Sequence, residues 1–469
     1  MTHAVSLVAQ YFGSSGGELR VGGVPVGSIA AEYGTPLFVY DASVLERKWA
    51  LLRGTLPAQF AISYSVKANP NRAFLRFFLG KGCGLEIASG GEFHQALSAG
   101  CPTQKVLFAG PGKSEAELDL VLARGIGEIH AESLLEVDRI QVIAARRGVR
   151  ARVAIRVNPG EEAQGGAMLM GGRPSPFGVD EESLEAVLDR FLSEPSLEFA
   201  GIHLFTGTQI LDHTVLTLQW RKGLNIATRV AERLQQPLPA LDFGGGLGIP
   251  YFENERELDM ARWREDLVAL TAEMQRQPSL RGTCFLVEPG RYLVGESGIY
   301  VTRINDIKTS RGKKFLIVDG GMNHHLAASG NLGQVIKRNF PVALLNKLDG
   351  KPQETVDVVG PLCTPLDVLA RDVRLAAASV GDLVGIFQSG AYARAASPLG
   401  FLSHPTPPEV WVEDGQMSLI RRRGTYDDLL SDLVSSRRQA PNPAGQATVR
   451  CSANAKKYPP HDVSETKEQ

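Results

Sequence analysis

Lys67 closes an apolar, β-branched run, AISYSV at residues 61–66, and is followed by Ala-Asn-Pro. A lysine at the end of such a run is partly desolvated, which disfavours the ammonium form and leaves a nucleophilic amine. On position alone, a lysine that merely reaches to solvent is the commoner case. Further along, Asp242-Phe243 is followed by Gly244, Gly245 and Gly246, whose bare backbone lets N–H groups approach an anion. A tight turn would read the same way. The run FLVE leads into Glu288-Pro289-Gly290-Arg291, where a guanidinium suits a phosphate and a carboxylate suits a protonated ring nitrogen. A local Glu–Arg pair is the alternative, made less natural by the Pro-Gly between them. His203-Leu204-Phe205-Thr206-Gly207-Thr208 adds an aromatic ring and two hydroxyls. Phe205 taken alone would more often be core than a stacking partner.

All four segments fall at the ends of short strand-like runs. Eight such runs lie at 61–66, 84–88, 106–109, 128–132, 152–157, 199–205, 240–243 and 285–288. Amphipathic stretches separate them, and those at 114–125 and 133–148 open on a serine N-cap and close on glycine. Strands separated by helices pair in parallel, because each connection crosses over. Eight units within about 230 residues predict the α/β class and a closed (β/α)8 TIM barrel over 43–296, with an open doubly wound sheet as the alternative. Barrel chemistry gathers at the carboxyl ends of the strands, where these segments stand. After residue 296 the pattern turns β-rich, with Gly and Pro turns, and the N-terminal ELRVGGVPVGSIAAEYGTPLFVYD also reads as strand and turn. A mostly β second domain built from 1–42 and 297–425 follows. Residues 439–469 lack any apolar period and read as a disordered tail.

A chain of 469 residues, 43% hydrophobic and 22% charged, is long enough for two or three domains with a sizeable core. Lys plus Arg number 50 against 51 Asp plus Glu, so no basic excess argues for nucleic acid or a membrane surface. No apolar run approaches the roughly 20 residues that span a bilayer, and the start of the chain carries no secretory pattern. Five scattered cysteines with no Cys-x-x-Cys pair argue against a disulfide framework or a zinc site, and for a reducing cytoplasm.

One ligand needs a lysine for an imine, a glycine cradle for phosphate, an acid for a pyridine nitrogen and an aromatic face. It is pyridoxal 5′-phosphate. The motifs YSVKANPN, GLEIASGGE, FAGPGKS, GTQ, FGGGLG, EPGR, GPLC and SGAY, in that order, also resemble the fold-type III decarboxylases of ornithine, diaminopimelate and arginine. The resemblance implies a cofactor-binding barrel of the alanine-racemase type, a β domain, and a head-to-tail homodimer that decarboxylates an amino acid. Carried over residue by residue, it implies that Lys67 holds the cofactor covalently. Thr208, Gly244, Gly245, Gly246, Gly290 and Arg291 would hold its phosphate with Tyr392, and Glu288 its ring nitrogen. Cys363, in Gly-Pro-Leu-Cys, would protonate the carbanionic carbon, with Cys363 and Tyr392 facing the Lys67 of the partner subunit.

The chain departs from that family in four places. Thr364 follows Cys363 where an acid usually receives a distal ammonium, with Asp367 as a possible substitute. Met322-Asn323-His324-His325-Leu326-Ala327 offers no arginine for a distal carboxylate. Phe205 replaces the histidine that stacks on the ring, and Glu86 replaces an aspartate. A site without an acid for an ammonium favours a modified, conjugated or carrier-linked amino acid. Free meso-diaminopimelate is the alternative substrate. A racemase of the same barrel, a cofactor carrier without catalysis, and a barrel acting on a phosphorylated substrate are the competing readings.

Overall fold

The computed structural model describes residues 2–160, 174–205, 207–332, 334 and 336–434, with the backbone of 168–169. Eight parallel strands form its centre: β1 (Phe60–Ser65), β2 (Gly84–Ile87), β3 (Val106–Phe108), β4 (Glu128–Ala131), β5 (Ala151–Asn158), β6 (Leu197–Leu204), β7 (Ala240–Asp242) and β8 (Cys284–Val287). Each pairs with the next, and β8 returns to β1 through Phe285 and Phe60, so the sheet closes. The closed barrel holds over the open sheet, and each strand lies within two residues of its sequence run.

Local chemistry explains the connecting helices. Glu115–Ala123 starts at Ser114 with a reciprocal capping box to Glu117, and Leu134–Arg147 starts at Ser133 and ends on left-handed Gly148. The long helix His213–Leu234 buries Leu216, Trp220, Leu224, Ala227 and Ala231 at helical spacing against the strands. Its Trp220 stacks on Phe60 at 5.4 Å and on Phe243 at 4.5 Å, tying β1 and β7 to the outer ring. Each large side chain buried this way stabilises the barrel by about 1.5–3 kcal/mol before entropy.

The second sheet is assembled from both ends of the chain. The N-terminal strand Leu37–Asp41 lies between Gly298–Ser310, antiparallel, and Glu409–Glu413, parallel. The helix Val26–Tyr33 corrects the reading of 18–41 as strand and turn alone, and a further helix, His3–Tyr11, precedes that segment. Val26, Ile29 and Ala30 form one buried stripe at helical spacing, and that stripe outweighs the helix-weakening glycine inside it. Asp427–Leu430 is a single 3₁₀ turn. The 439–469 tail lies outside the described residues. No described helix is long and apolar enough to cross a membrane.

Candidate active site

Lys67 stands in a 3₁₀ turn, Val66–Ala68, directly after β1. Ser65 pairs in register with Glu86 on β2, which brings the Glu86 carboxylate under the lysine. Nζ lies 2.9 Å from both Glu86 oxygens, and the Ser65 hydroxyl donates to the same carboxylate. The Lys67 side chain is 42% exposed at the barrel mouth, whereas that of Glu86 is 1% exposed. Desolvation opposes the ammonium, but Glu86, with Glu288 beyond it, outweighs that and holds the Lys67 pKa above the ordinary lysine value. The expectation of a lowered pKa is therefore reversed, because a buried acid sits against the amine. Glu86 is also the base in contact with it.

Glu288 follows β8 and is buried. Its Oε2 lies 3.3 Å from His203 Nε2, and its Oε1 lies 3.9 Å from His130 Nδ1. His130 Nε2 is in turn 3.1 Å from Glu128. Asp242, at the end of β7, accepts the Gly244 N–H at 2.8 Å. Glu288 Oε1, Asp242 Oδ2, His130 Nδ1 and both nitrogens of His203 have no hydrogen-bond partner in the protein. Unpartnered polar atoms this deep cost stability unless a ligand meets them. Desolvation works against a charge on Glu288, but His203, His130 and Lys67 outweigh it and hold its carboxyl ionised. Burial lowers the His203 pKa, against the opposing pull of Glu288.

The glycine loop is shaped by contact. Gly244 has φ +66°, and a Cβ there would stand 2.6 Å from the Leu204 carbonyl oxygen; one on Gly245 would stand 2.4 Å from that of Glu288. Neither distance accommodates a side chain. A Cβ on Gly246 would meet Gly207 O at 2.8 Å, and one on Gly290 would meet Ser65 and Ala68 at 3.0 Å, so these turns pack against β1 and the 207–208 segment. Thr208 is half-buried beside them. Arg291 donates to the Tyr251 hydroxyl at 2.9 Å and stacks 4.7 Å over Tyr392, leaving its Nε unpartnered. Tyr392 is held at φ +53°, a strained backbone for a tyrosine, by its N–H bond to Ala68 O at 2.9 Å. That bond corrects one expectation: Tyr392 faces the Lys67 of its own chain. SGAY folds back onto the β1 turn because Asn69 Nδ2 also grips Gly390 O at 3.0 Å.

Phe205 is half-buried with its ring against Gly244 and Gly245. The Arg156 guanidinium lies 5.8 Å from that ring and 5.1 Å from the ring of Phe177, and donates to Glu132 at 2.8 Å. Glu132 also accepts from Gly110 and Gly178, fixing three strand-end turns at once. His130, Glu132, Arg156, His203 and Asp242 were missed from sequence. Their signal was available, since each is a polar residue in the last three positions of a barrel strand or just beyond, where an apolar one would bury more cheaply.

Cys363 is exposed on the 360–367 loop. Among the described residues no hydrogen bond or ion pair joins it to Lys67 or Glu288. The loop is closed by Asp367, which is buried and accepts Met322 N–H at 2.6 Å and Leu362 N–H at 2.9 Å. The structure thus brings Lys67, Glu288, Phe205, Thr208, Gly244, Gly245, Gly246, Gly290, Arg291 and Tyr392 to one barrel mouth, while Cys363 shares no hydrogen bond or ion pair with Lys67 or Glu288 among the described residues. An amine at the mouth, an unpartnered buried carboxylate and an unpartnered guanidinium nitrogen fit pyridoxal 5′-phosphate.

Comparison with known proteins agrees. The family described as "Pyridoxal-dependent decarboxylase, pyridoxal binding domain" matches residues 42–295. The L-glutamyl-[BtrI acyl-carrier protein] decarboxylase of Niallia circulans is 37% identical over 407 residues, covering 86% of this chain and 95% of that protein. A diaminopimelate decarboxylase of Archaeoglobus fulgidus is 34% identical over 423 residues, covering 89% and 97%. Among solved structures, the diaminopimelate decarboxylase of M. jannaschii in complex with L-lysine superposes with a TM-score of 0.82 at 25% identity, covering 90% of this chain and 98% of that one. The chain belongs to the pyridoxal-dependent decarboxylases, and is a carboxy-lyase that uses pyridoxal 5′-phosphate to decarboxylate an amino acid.

Proposed function

We propose that this enzyme decarboxylates an amino acid presented as a conjugate, such as an aminoacyl group on a carrier, and not a free diamino acid. One observation carries the reading: Asp367, the acid nearest to Cys363 on its loop, spends both oxygens on backbone N–H groups. Thr364 is therefore the side chain left to face a distal group, and a hydroxyl cannot neutralise an ammonium. An ammonium desolvated there without a carboxylate would cost several kcal/mol. The N. circulans relative, whose substrate is carrier-linked, supports the same choice.

The roles follow from chemistry at each atom. When bound, the cofactor supplies the electron sink for the pair left by departing CO₂. Lys67 would hold it covalently, with Glu86 beside the amine to take its proton, and Glu288 would hold the ring nitrogen's proton in place. Arg291, Tyr392, Thr208 and the glycine turns hold the phosphate, and Phe205 covers one ring face. Cys363 of the partner subunit would be the proton donor to the carbon that loses CO₂, which would make the working unit a homodimer. Free cysteines at Cys83, Cys101, Cys284 and Cys363 suit a reducing cytoplasm. An anionic Glu288 disfavours the racemase alternative, which does best with a weaker sink.

The test compares kcat/KM for CO₂ release from ornithine, lysine and meso-diaminopimelate with that from N-acylated or carrier-linked analogues. Conjugates should win, and Thr364→Glu should move preference toward the free diamino acids. A free diamino acid favoured by a large factor would return the enzyme to ordinary diaminopimelate chemistry.

A further inference from the structure

Asp242 pairs in register with Leu286 on β8, and Glu288 lies two residues on, so both carboxyls project to the same face of the barrel. Both are buried, and each keeps an oxygen that no protein donor meets: Asp242 Oδ2 and Glu288 Oε1. Two ionised carboxylates cannot share such a dry site, so one of them carries a proton. The surroundings decide which. Asp242 faces one donor, the Gly244 N–H. Glu288 faces His203 at 3.3 Å and His130 at 3.9 Å, and would face the protonated ring nitrogen of the bound cofactor. Glu128 is occupied by His130 and lies 3.9 Å from Arg152, and Arg156 is occupied by Glu132, so none of these re-balances the pair.

We propose that Asp242 is a positioning residue: a buried carboxylic acid that keeps its proton and lends it to Glu288, so that Glu288 meets the cofactor ring as a fixed, singly charged carboxylate. This rests on the reading of Glu288 as the partner of the ring nitrogen. Burial, and then the charge of Glu288, hold Asp242 protonated well above the usual carboxylate range, in keeping with the geometry. The proton does two things. It removes the repulsion between the carboxyls, and it pins one Glu288 oxygen so that the other keeps its orientation.

The discriminating substitution is Asp242→Asn, because an amide donates to Glu288 as the acid does while still accepting from Gly244, yet cannot ionise. Holoenzyme, Asp242→Asn, Asp242→Ala and Glu288→Gln would be followed by the long-wavelength absorption of bound cofactor from about pH 6 to 9 and by the rate of cofactor release. Asp242→Ala should release cofactor on the order of tenfold faster and make the band pH-dependent, since Glu288 loses its buried donor. Asp242→Asn should recover most of that loss. If Asp242→Ala does not fold, Asp242→Asn against the unaltered holoenzyme decides: a retained, pH-independent band supports the proposal. An Asp242→Asn enzyme that loses the band overturns it, because the charge and not the proton would then be what Asp242 supplies. A stoichiometric divalent metal in the isolated protein also overturns it, because an ion among His130, His203 and Glu288 would replace the shared proton. A Glu288→Gln enzyme with an unaltered band shows instead that the Glu288 reading fails, and the proposal falls with it.

Discussion

At the ends of β4, β6, β7 and β8, His130, His203, Asp242 and Glu288 each keep at least one polar atom without a partner, whereas Asp367 and His325, equally buried in the β domain, spend theirs on neighbours. Asp367 takes two backbone N–H groups. His325 Nδ1 accepts from Ala328 N–H at 3.2 Å, so the proton sits on Nε2, which reaches the Ser389 hydroxyl at 2.9 Å. For these residues the contrast separates a binding floor from a structural joint, although buried Asn323, His324 and Gln388 of the β domain also keep a polar atom without a partner. A joint is complete within the chain. A floor is complete only when something else arrives.

Substitutions on the two sides should therefore separate activity from stability. The largest effect belongs to Lys67→Ala, which should remove covalently held cofactor and lower turnover on the order of 10⁴-fold or more, as loss of a nucleophile does elsewhere. Borohydride labelling of residue 67 in the unaltered enzyme, absent in the variant, checks it. Glu288→Gln should lower kcat by about 10²–10³-fold, since it removes charge aimed at the reacting system. Its melting temperature should change little, because the amide keeps the shape of the side chain and an oxygen that can still accept. Asp367→Asn should do the reverse: one acceptor becomes a donor facing an N–H, costing about 1–3 kcal/mol of stability. Thermal melts read that loss while the cofactor band stays in place.

The smallest effect is a pH dependence from the joint. Burial pushes the His325 pKa down to about 3 from 6.5. Its folded form binds fewer protons than the unfolded chain between those values, so stability is full above pH 6.5 and is lost as pH falls toward 3. The slope is at most about 1.4 kcal/mol per pH unit for this one group. His325→Gln, which can still accept from Ala328 and donate to Ser389, should flatten it in melts taken across that window.

Much of the barrel was legible in the sequence because period and caps agreed. Ser114 and Ser133 opened their helices, and parallel pairing followed from helices lying between strands. The cofactor residues were legible as well, since they fall at strand ends, where an amine, a glycine triplet and an acid have no core role to play. Val26–Tyr33 was not, because Gly27 and the flanking Gly-Pro turns hid a stripe of only three buried residues. Glu86 raised the Lys67 pKa through a register contact between β1 and β2 that no linear spacing reveals. Asp242 and His203 escaped for a similar reason: a lone acid or imidazole in an apolar run gains meaning only when a second strand sets another beside it.

The central claim is that the barrel floor holds the cofactor in one chain while the proton donor, Cys363, reaches it from another. Mixing inactive Lys67→Ala and Cys363→Ala chains tests this most directly. Random exchange makes about half of the dimers mixed, each with one intact site, so roughly a quarter of unaltered activity should return by two-fold symmetry. No recovery, in a mixture shown by mass to have exchanged subunits, would contradict the account and place Cys363 in the site of its own chain.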